Sequence, residues 1–162
     1  MESKIYNAAM TQDEKYMDVA LSLAIKGKGN VAPNPMVGCV IVKEGIMVGQ
    51  GWHSTYGGAH AEKNAVNSIT DKKLLKNSTV YVNLEPCSHF GNTPPCCDLL
   101  ILSEVSKVII ANVDPNPLVN GKGIEKMRKA GLVVQTGILE SKAKALNKEF
   151  FQLMEKKSAL TN

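Results

Sequence analysis

Three side chains that can bind a transition metal occur within one part of the sequence. His60 is followed two residues later by Glu62, and Cys87 and Cys96 lie further along the chain. One imidazole and two thiolates form a three-ligand zinc set, which leaves the fourth tetrahedral position open to water. A carboxylate beside such a site can accept and donate the protons of that water. We therefore predict a hydrolytic zinc centre in which Glu62 transfers protons.

The order of these residues is typical of zinc deaminases, which combine His-x-Glu with a later Pro-Cys. Here His60 and Glu62 supply the first pattern, and Pro86 directly precedes Cys87. The spacing of the cysteines departs from the general signature. That signature has two residues between its cysteines, whereas eight residues separate Cys87 from Cys96. The longer loop narrows the set of deaminases that this chain can resemble.

Four motifs occur along the chain in a fixed order, and one of them contains both cysteines. They are Pro33-Asn34-Pro35-Met36-Val37-Gly38, Gly51-Trp52-His53, the segment from Glu85 to Cys96, and Asp114-Pro115-Asn116-Pro117-Leu118-Val119 followed by Gly121-Lys122-Gly123. Together they closely resemble the deaminase domain of the bifunctional riboflavin-biosynthesis deaminase/reductase family, roughly over residues 17–150. The resemblance implies a cytidine-deaminase-like fold and zinc-dependent deamination of diaminohydroxyphosphoribosylaminopyrimidine.

The resemblance also implies roles for the metal-binding pattern. It places zinc on His60, Cys87 and Cys96, because Cys96 follows two prolines, as the family's ligand does. It makes Glu62 the group that takes a proton from water, protonates the ring nitrogen and later delivers a proton to ammonia. Two thiolates and one imidazole independently favour zinc over metals that prefer oxygen ligands.

Further residues are implied as substrate contacts by the same resemblance. Asn34 and His53 match family positions on the pyrimidine side of the substrate. His89 and Asn116 match positions near the ribose phosphate. Taken without the resemblance, the two asparagines are ordinary turn residues and the two histidines are ordinary loop residues.

Asn92 is the position at which this chain departs from the family. Lys or Arg usually stands there, between Gly and Thr-Pro-Pro-Cys, where a cation can meet the substrate phosphate. Asn92 donates a hydrogen bond but brings no charge, so it predicts a weaker phosphate contact. Lys122 is the candidate that could compensate.

The residues leave other arrangements open. A closed structural zinc would take Cys97, Cys39 or His89 as a fourth ligand, and Cys97 also competes with its neighbour for the ligand position. A structural site gives no reason for Glu62 to lie beside the metal. Cys39 lies among valines and isoleucine, which favours a small buried apolar side chain.

Three functions remain in competition on the residues alone. The first is the small-molecule aminohydrolase, and the second is a deaminase of tRNA adenosine or of a free nucleobase. The third is a zinc module without enzymatic activity. The long loop between the cysteines and the Asp-Pro-Asn-Pro segment argue against the tRNA deaminase, which normally has the short spacing.

Composition and charge are those of an ordinary globular protein. The chain has 162 residues, 44% hydrophobic and 21% charged, with a formal charge of +4. The sequence contains no dense basic run that would indicate nucleic-acid binding. It also contains no signal segment and no membrane-spanning run, so we expect a cytoplasmic protein with reduced cysteines. We expect Zn²⁺ as cofactor, a phosphorylated pyrimidine as ligand, no nucleic-acid or membrane partner, and a homo-oligomer, either dimer or tetramer.

The periodicity predicts an α/β fold, a three-layer α/β/α sandwich with a mixed sheet of about five strands. Residues 1–162 are predicted to form a single zinc-dependent deaminase domain, with residues 1–10 as a flexible arm. No nucleotide-binding unit follows residue 150, so a separate reductase is expected for the next step. The predicted elements are a helix after the Thr11–Glu14 capping box, a hairpin of strands 36–42 and 46–51, a helix 61–69, a strand 79–84, a helix 96–103, a strand 107–111, a helix 123–130, a strand 132–136 and one C-terminal helix whose apolar stripe runs from Leu139 to Leu153.

Overall fold

A computed structural model describes residues 8–91 and 93–160, which form one sheet flanked by helices. Residues 1–7 of the predicted arm and the predicted phosphate contact at Asn92 lie outside the described residues. In chain order the elements are α1 Gln12–Ile25, β1 Gly38–Lys43, β2 Ile46–Trp52, α2 Ala61–Ser68, a 3-10 helix Lys72–Leu75, β3 Thr79–Leu84, α3 Cys96–Leu102, β4 Lys107–Asn112, α4 Lys122–Lys129, β5 Val133–Thr136, α5 Glu140–Leu146 and α6 Lys148–Leu160.

The sheet has five strands in the order β2-β1-β3-β4-β5. β1 pairs antiparallel with both β2 and β3, whereas β3, β4 and β5 run parallel to one another. The hairpin between β1 and β2 turns at Glu44 and Gly45, which both adopt positive φ. The predicted mixed sheet and hairpin are therefore confirmed, with each strand end within two residues of the expected position.

Helices cover both faces of the sheet and give the predicted three layers. On one face, strand residues such as Ile41 and Val82 pack against α2, α3 and α4. On the other face, Val40 and Ile109 pack against α1 and α5. All four side chains are fully buried. Because successive residues of a central strand enter two different cores, these strands are apolar at nearly every position rather than at alternate ones.

The first helix begins at the capping box predicted from the sequence. Thr11 Oγ1 accepts a hydrogen bond from Glu14 N at 3.2 Å, and Thr11 N donates to Glu14 Oε2 at 3.1 Å. These bonds pair the backbone N–H groups of Thr11 and Glu14, which would otherwise have no partner at the start of the helix. None of the helices in residues 8–91 and 93–160 has the length and apolar content needed to cross a bilayer.

Three glycines of the hairpin let two helices lie directly on the sheet. A Cβ on Gly38 would lie 1.9 Å from the carbonyl oxygen of Ala20 in α1. A Cβ on Gly51 would lie 2.4 Å from the backbone nitrogen of Ala65 in α2, and one on Gly49 would lie 2.9 Å from the oxygen of the same residue. Any side chain at these positions would push a helix away from the sheet, because a close-packed interior has no room for it.

The C-terminal segment corrects one prediction. Apolar spacing predicted a single helix, whereas the structure has two helices, α5 and α6, separated at Asn147. Asn147 leaves the helical conformation, with φ −108 and ψ 32. Its side chain makes two hydrogen bonds to the backbone of Met36, in a loop before β1. The apolar stripe continues across the break, so the spacing alone could not reveal it.

Candidate metal centre and active site

A cavity of about 250 Å³ lies at one edge of the sheet. Three strands, β2, β3 and β4, end at this edge, and His53, Glu85 and Asp114 follow them in the chain and line the cavity. β1 begins at the same edge because it runs antiparallel to β3. Polar residues that follow three separate strands therefore meet in one place, as is usual at the carboxyl ends of strands in α/β proteins.

His60 lies at the N-cap of α2, directly before the helix begins at Ala61. Its backbone is extended, with φ −70 and ψ 162, and its side chain makes no cap hydrogen bond. Instead, His60 Nδ1 lies 3.7 Å from Cys87 Sγ and 3.5 Å from Cys96 Sγ. The imidazole at the start of α2 thus faces the two thiols rather than the helix backbone.

The two cysteines of the cluster are held together by the backbone at the start of α3. Cys96 N donates to Cys87 Sγ at 3.2 Å, and Cys97 N donates to Cys87 O at 3.1 Å. The hydrogen bond with the Cys96 thiol lowers the pKa of Cys87 to about 4, and His60 acts in the same direction. The same contact, with burial, raises the pKa of Cys96. The pair holds one negative charge readily and needs a cation to hold two.

The geometry of the cluster fits zinc. Tetrahedral zinc binds sulfur at about 2.3 Å and nitrogen at about 2.0–2.1 Å, which puts these ligand atoms about 3.6 Å apart. The observed Nδ1–Sγ distances are 3.7 and 3.5 Å, and the three ligand atoms of His60, Cys87 and Cys96 all lie within 4.8 Å of one another. Two thiolates and an imidazole are also ligands that zinc prefers.

The two remaining cysteines are placed elsewhere. Cys97 Sγ donates to Pro86 O at 3.2 Å and is fully buried in the apolar core, where burial raises the pKa of its thiol to about 12. Cys39 is fully buried in β1, as the sequence indicated, and burial raises the pKa of its thiol as well. His89 lines the cavity but is not among the three clustered side chains. The cluster brings together the three side chains expected of an open site.

Glu62, the second residue of α2, lies beside the cluster. It is only 4% exposed, lines the cavity, and its carboxyl group interacts with the Cys96 thiol. Burial raises the pKa of this carboxyl group, and the nearby Cys87 adds to the increase. A carboxyl group whose pKa moves toward neutrality can both accept and release a proton within one reaction. The position and environment of Glu62 therefore suit proton transfer.

Asn34 and His53 form a hydrogen-bonded pair that lines the cavity. His53 Nδ1 lies 3.0 Å from Ala59 O, and its Nε2 lies 3.3 Å from Asn34 Nδ2. A carbonyl oxygen only accepts, so Nδ1 carries the proton and Nε2 accepts from the amide. Both ring nitrogens are thereby used within the protein. The carbonyl oxygen of Asn34 is left as an acceptor for a ligand.

His89 and Asn116 line the same cavity from two further loops. Asn116 is held in a turn, where its Oδ1 accepts from Leu118 N at 3.1 Å. Because the side-chain oxygen of Asn116 is used in this way, its amide nitrogen is the atom that can donate to a ligand. Lys122, the residue expected to compensate for the uncharged Asn92, is exposed and does not line the cavity. Among the described residues that line the cavity, there is no lysine or arginine.

Two carboxylates and one aromatic side chain are among the cavity residues that sequence reasoning missed. Asp114 and Glu85 carry carboxylates into it, and Phe150 supplies an apolar wall from α6. A polar residue one or two positions after a buried strand was the available signal for Glu85 and Asp114, because such residues lie at the edge where ligands bind. Phe150 gave no signal, since it continues the apolar stripe of the C-terminal segment.

The fold and the His-Cys-Cys cluster define a zinc deaminase of the cytidine-deaminase class. The sequence model of the cytidine and deoxycytidylate deaminase zinc-binding region matches residues 10–112. The chain is 48% identical over 143 residues to the diaminohydroxyphosphoribosylamino-pyrimidine deaminase of Buchnera aphidicola from Schizaphis graminum, covering 88% of this chain and 96% of the relative. By this relationship, the chain belongs to the diaminohydroxyphosphoribosylaminopyrimidine deaminase family.

Longer relatives contain the same domain. The riboflavin biosynthesis protein RibD of Aquifex aeolicus is 52% identical over 139 residues, which are 86% of this chain and 38% of that protein. The chain thus spans well under half the length of that relative. The diaminohydroxyphosphoribosylaminopyrimidine deaminase/5-amino-6-(5-phosphoribosylamino)uracil reductase of Thermotoga maritima has a similar structure. The two superpose with a TM-score of 0.85 at 45% identity, over 90% of this chain and 42% of that one.

Proposed function

We propose that this chain is a zinc-dependent aminohydrolase of riboflavin biosynthesis. Its substrate is diaminohydroxyphosphoribosylaminopyrimidine and its product is 5-amino-6-(5-phosphoribosylamino)uracil, the two compounds for which the Thermotoga relative is named. The observation that carries the proposal is the placement of a buried Glu62 beside a cluster of three metal-binding side chains, two of which line the same cavity as Glu62. The 48% identity to a single-function deaminase supports the choice of substrate.

Hydrolysis of an amino group on a heteroaromatic ring meets two obstacles at neutral pH. Water is a poor nucleophile, and an amide anion cannot leave. His60, Cys87 and Cys96 would hold a zinc ion, which would supply an activated water because such a metal lowers the pKa of water to about 7. The second obstacle needs a group that can protonate the departing nitrogen.

Glu62 meets the second obstacle and takes part in the first. Its carboxylate accepts a proton from the attacking water and passes a proton to the adjacent ring nitrogen as the new C–O bond forms. It then carries a second water proton to the exocyclic nitrogen, so that the C–N bond breaks with ammonia as the leaving group. The oxygen of water thereby becomes the new ring carbonyl, one of its protons remains on the ring nitrogen and the other leaves with ammonia, and Glu62 ends in its starting state. Burial, which raises the pKa of this carboxyl group, favours such two-way transfer.

The remaining polar groups orient the substrate. The amide nitrogen of Asn34 is hydrogen-bonded to His53, so the side-chain carbonyl oxygen of Asn34 can accept from an amino group or a ring N–H of the pyrimidine. His89 and Asn116 lie on the other loops of the cavity and would receive the ribose phosphate side. We expect Asn92, at the sequence position where the family usually has a cation, to offer the phosphate an uncharged donor.

The experiment is an ammonia-release assay on the purified, zinc-loaded chain. The diaminopyrimidine substrate is compared with cytidine, guanine and tRNA, in the absence of NADPH. We expect ammonia from the diaminopyrimidine alone, with the ribosyl group unreduced until a separate reductase is added. Release mainly from tRNA or from a free nucleobase would contradict the proposal, and a zinc-loaded Glu62→Gln variant provides the blank.

The proposal includes assembly and location. We propose a cytoplasmic homo-oligomer, a dimer or a tetramer, whose single deaminase domain binds the phosphorylated pyrimidine. Light scattering of the zinc-loaded chain measures the mass of the assembly, and a monomer at micromolar concentration would contradict this part alone.

A further inference from the structure

Glu85 is a buried carboxylate that takes no part in the chemistry proposed above. It is 4% exposed, and it accepts three hydrogen bonds from backbone N–H groups. Asp114 N donates to Oε1 at 3.2 Å and Gly121 N donates to the same oxygen at 2.9 Å. Gly123 N donates to Oε2 at 3.0 Å. A buried charge with three donors is well satisfied, and each such charge-assisted bond is stronger than a neutral one.

These bonds join two parts of the cavity. Glu85 lies at the end of β3, two residues before Cys87 of the metal cluster. The segment that donates to it, residues 114–123, supplies Asp114, Asn116 and Val119 to the cavity lining. One carboxylate therefore links the loop that carries a metal-binding thiol to a second segment of the cavity lining.

The segment 114–123 packs closely against the loop that follows Glu85. A Cβ on Gly123 would lie 2.4 Å from Pro86 O and 2.9 Å from Cys97 Sγ. The backbone of Glu85 is itself fixed, because its N–H donates to Asn112 O at 2.9 Å at the end of β4. The carboxylate thus extends from a rigid strand end, and the position of the 114–123 segment follows from it.

We propose that Glu85 is a positioning residue for substrate binding. Through its three backbone hydrogen bonds it sets the distance between the wall that bears Asn116 and the metal cluster. It acts on affinity and leaves metal retention and proton transfer unchanged. This inference rests on the proposed function, because that function assigns the ribose phosphate side of the substrate to this wall.

The first test is Glu85→Gln, which keeps the size of the side chain and one acceptor oxygen. Its amide nitrogen would face an N–H donor, so at least one of the three backbone bonds is lost. We expect KM to rise about tenfold while kcat changes less than about threefold and zinc content is unchanged. A lower kcat with an unchanged KM would mean a reduced fraction of folded enzyme, and would overturn the proposal.

The second test separates positioning from a general structural effect. Glu85→Gln is combined with Asn116→Ala, and the effects on KM are compared in a double-mutant cycle. If Glu85 acts through the wall that bears Asn116, its substitution raises KM less than about twofold in the Asn116→Ala background. If the factors by which the two substitutions raise KM multiply in the double variant, the two residues act independently, and the proposal would also be overturned.

A third measurement does not depend on activity. Hydrogen exchange of the zinc-loaded chain should accelerate in residues 114–123 on Glu85→Gln, while residues 39–42 of β1 keep their protection. Equal acceleration in both segments, or in neither, would overturn the positioning role. If the wild-type chain releases no ammonia but exchange changes only in residues 114–123, the proposed function fails and the structural role of Glu85 stands.

Discussion

The side chain of Asn147 pairs with the backbone of Met36, 111 residues away in the sequence. Asn147 Oδ1 accepts from Met36 N and its Nδ2 donates to Met36 O, both at 2.8 Å. Asn83 Nδ2 donates a third bond to Met36 O at 3.0 Å. Since Pro35 and Val37 on either side of Met36 line the cavity, the C-terminal helices hold one of its walls.

An Asn147→Asp substitution tests this link with almost no change of shape. An ionised aspartate loses the N–H donor and sets an oxygen against Met36 O, in a site where Asn147 is only 6% exposed. We expect the free energy of unfolding to fall by about 1–3 kcal/mol and KM to rise, because Met36 O loses one of its two donors and faces a charged oxygen in a buried site. Urea denaturation and steady-state kinetics measure both. Asn67→Asp, at an exposed position of α2, is the matched control, and equal losses in the two variants would contradict the prediction.

The adjacent cysteines should differ in their effect on zinc. Cys96→Ala removes one of three clustered ligand atoms, so we expect stoichiometric zinc to be lost. Cys97→Ala removes a buried thiol that donates to Pro86 O, so we expect zinc to be retained with a modest loss of thermal stability. Metal analysis of the two purified variants decides the assignment. The reverse pattern of zinc content would show that Cys97 is the ligand.

Glu62→Gln should separate the metal centre from proton transfer. Glutamine has the same size, so the zinc content and the circular dichroism spectrum should match those of the wild type. We expect kcat to fall about 10²–10⁴-fold, the usual contribution of a general acid or base. Turnover close to that of the wild-type chain, with zinc bound, would rule out the role of Glu62.

Asn92→Lys should restore a cation where the family usually has one. Asn92 lies outside the described residues, but its neighbours in the chain follow His89 of the cavity lining. We expect KM for the phosphorylated substrate to fall more than kcat changes, because the phosphate gains a charge-assisted contact. The dephosphorylated nucleoside is the control and should show no gain. An unchanged KM for the phosphorylated substrate would mean that the phosphate is bound elsewhere.

Asp114 should make stability depend on pH. Burial raises the pKa of its carboxyl group above the ordinary value of about 3.9. A carboxyl group with a raised pKa favours folding while it is protonated, and this contribution is lost as pH rises through the folded-state pKa. We therefore expect Asp114→Asn to gain stability relative to the wild type as the pH rises above the ordinary pKa of an aspartate and through the raised folded-state pKa. Denaturation at a series of pH values measures the difference, and a constant difference would contradict the shift.

Local signals were sufficient for most elements and for the metal cluster. Thr11 and Glu14 predicted the start of α1 because both halves of a capping box lie within four residues. The cluster was predictable because His60, Cys87 and Cys96 are rare residue types with few other uses in a protein without disulfides. In both cases the physical cause is contained in the residues themselves.

Other features depend on distant partners. The break at Asn147 exists because its amide binds Met36, and the apolar stripe through Leu146 and Phe150 gives no sign of that bond. The role of Glu85 depends on the backbone of residues 114–123, which offers N–H groups whatever its sequence. Hydrogen bonds to backbone leave little trace in residue types, so this part of the site required the structure.

The close contacts of Gly38, Gly49 and Gly51 with the helices α1 and α2 have an evolutionary consequence. None of the three glycines supplies a group to the reaction, yet a single methyl group at any of them would collide with the backbone of Ala20 or Ala65. Natural selection should therefore keep glycine at these positions as strictly as it keeps a ligand. A survey of related sequences that equates invariance with chemistry would place these three residues in the active site, although they are retained for the space they leave empty.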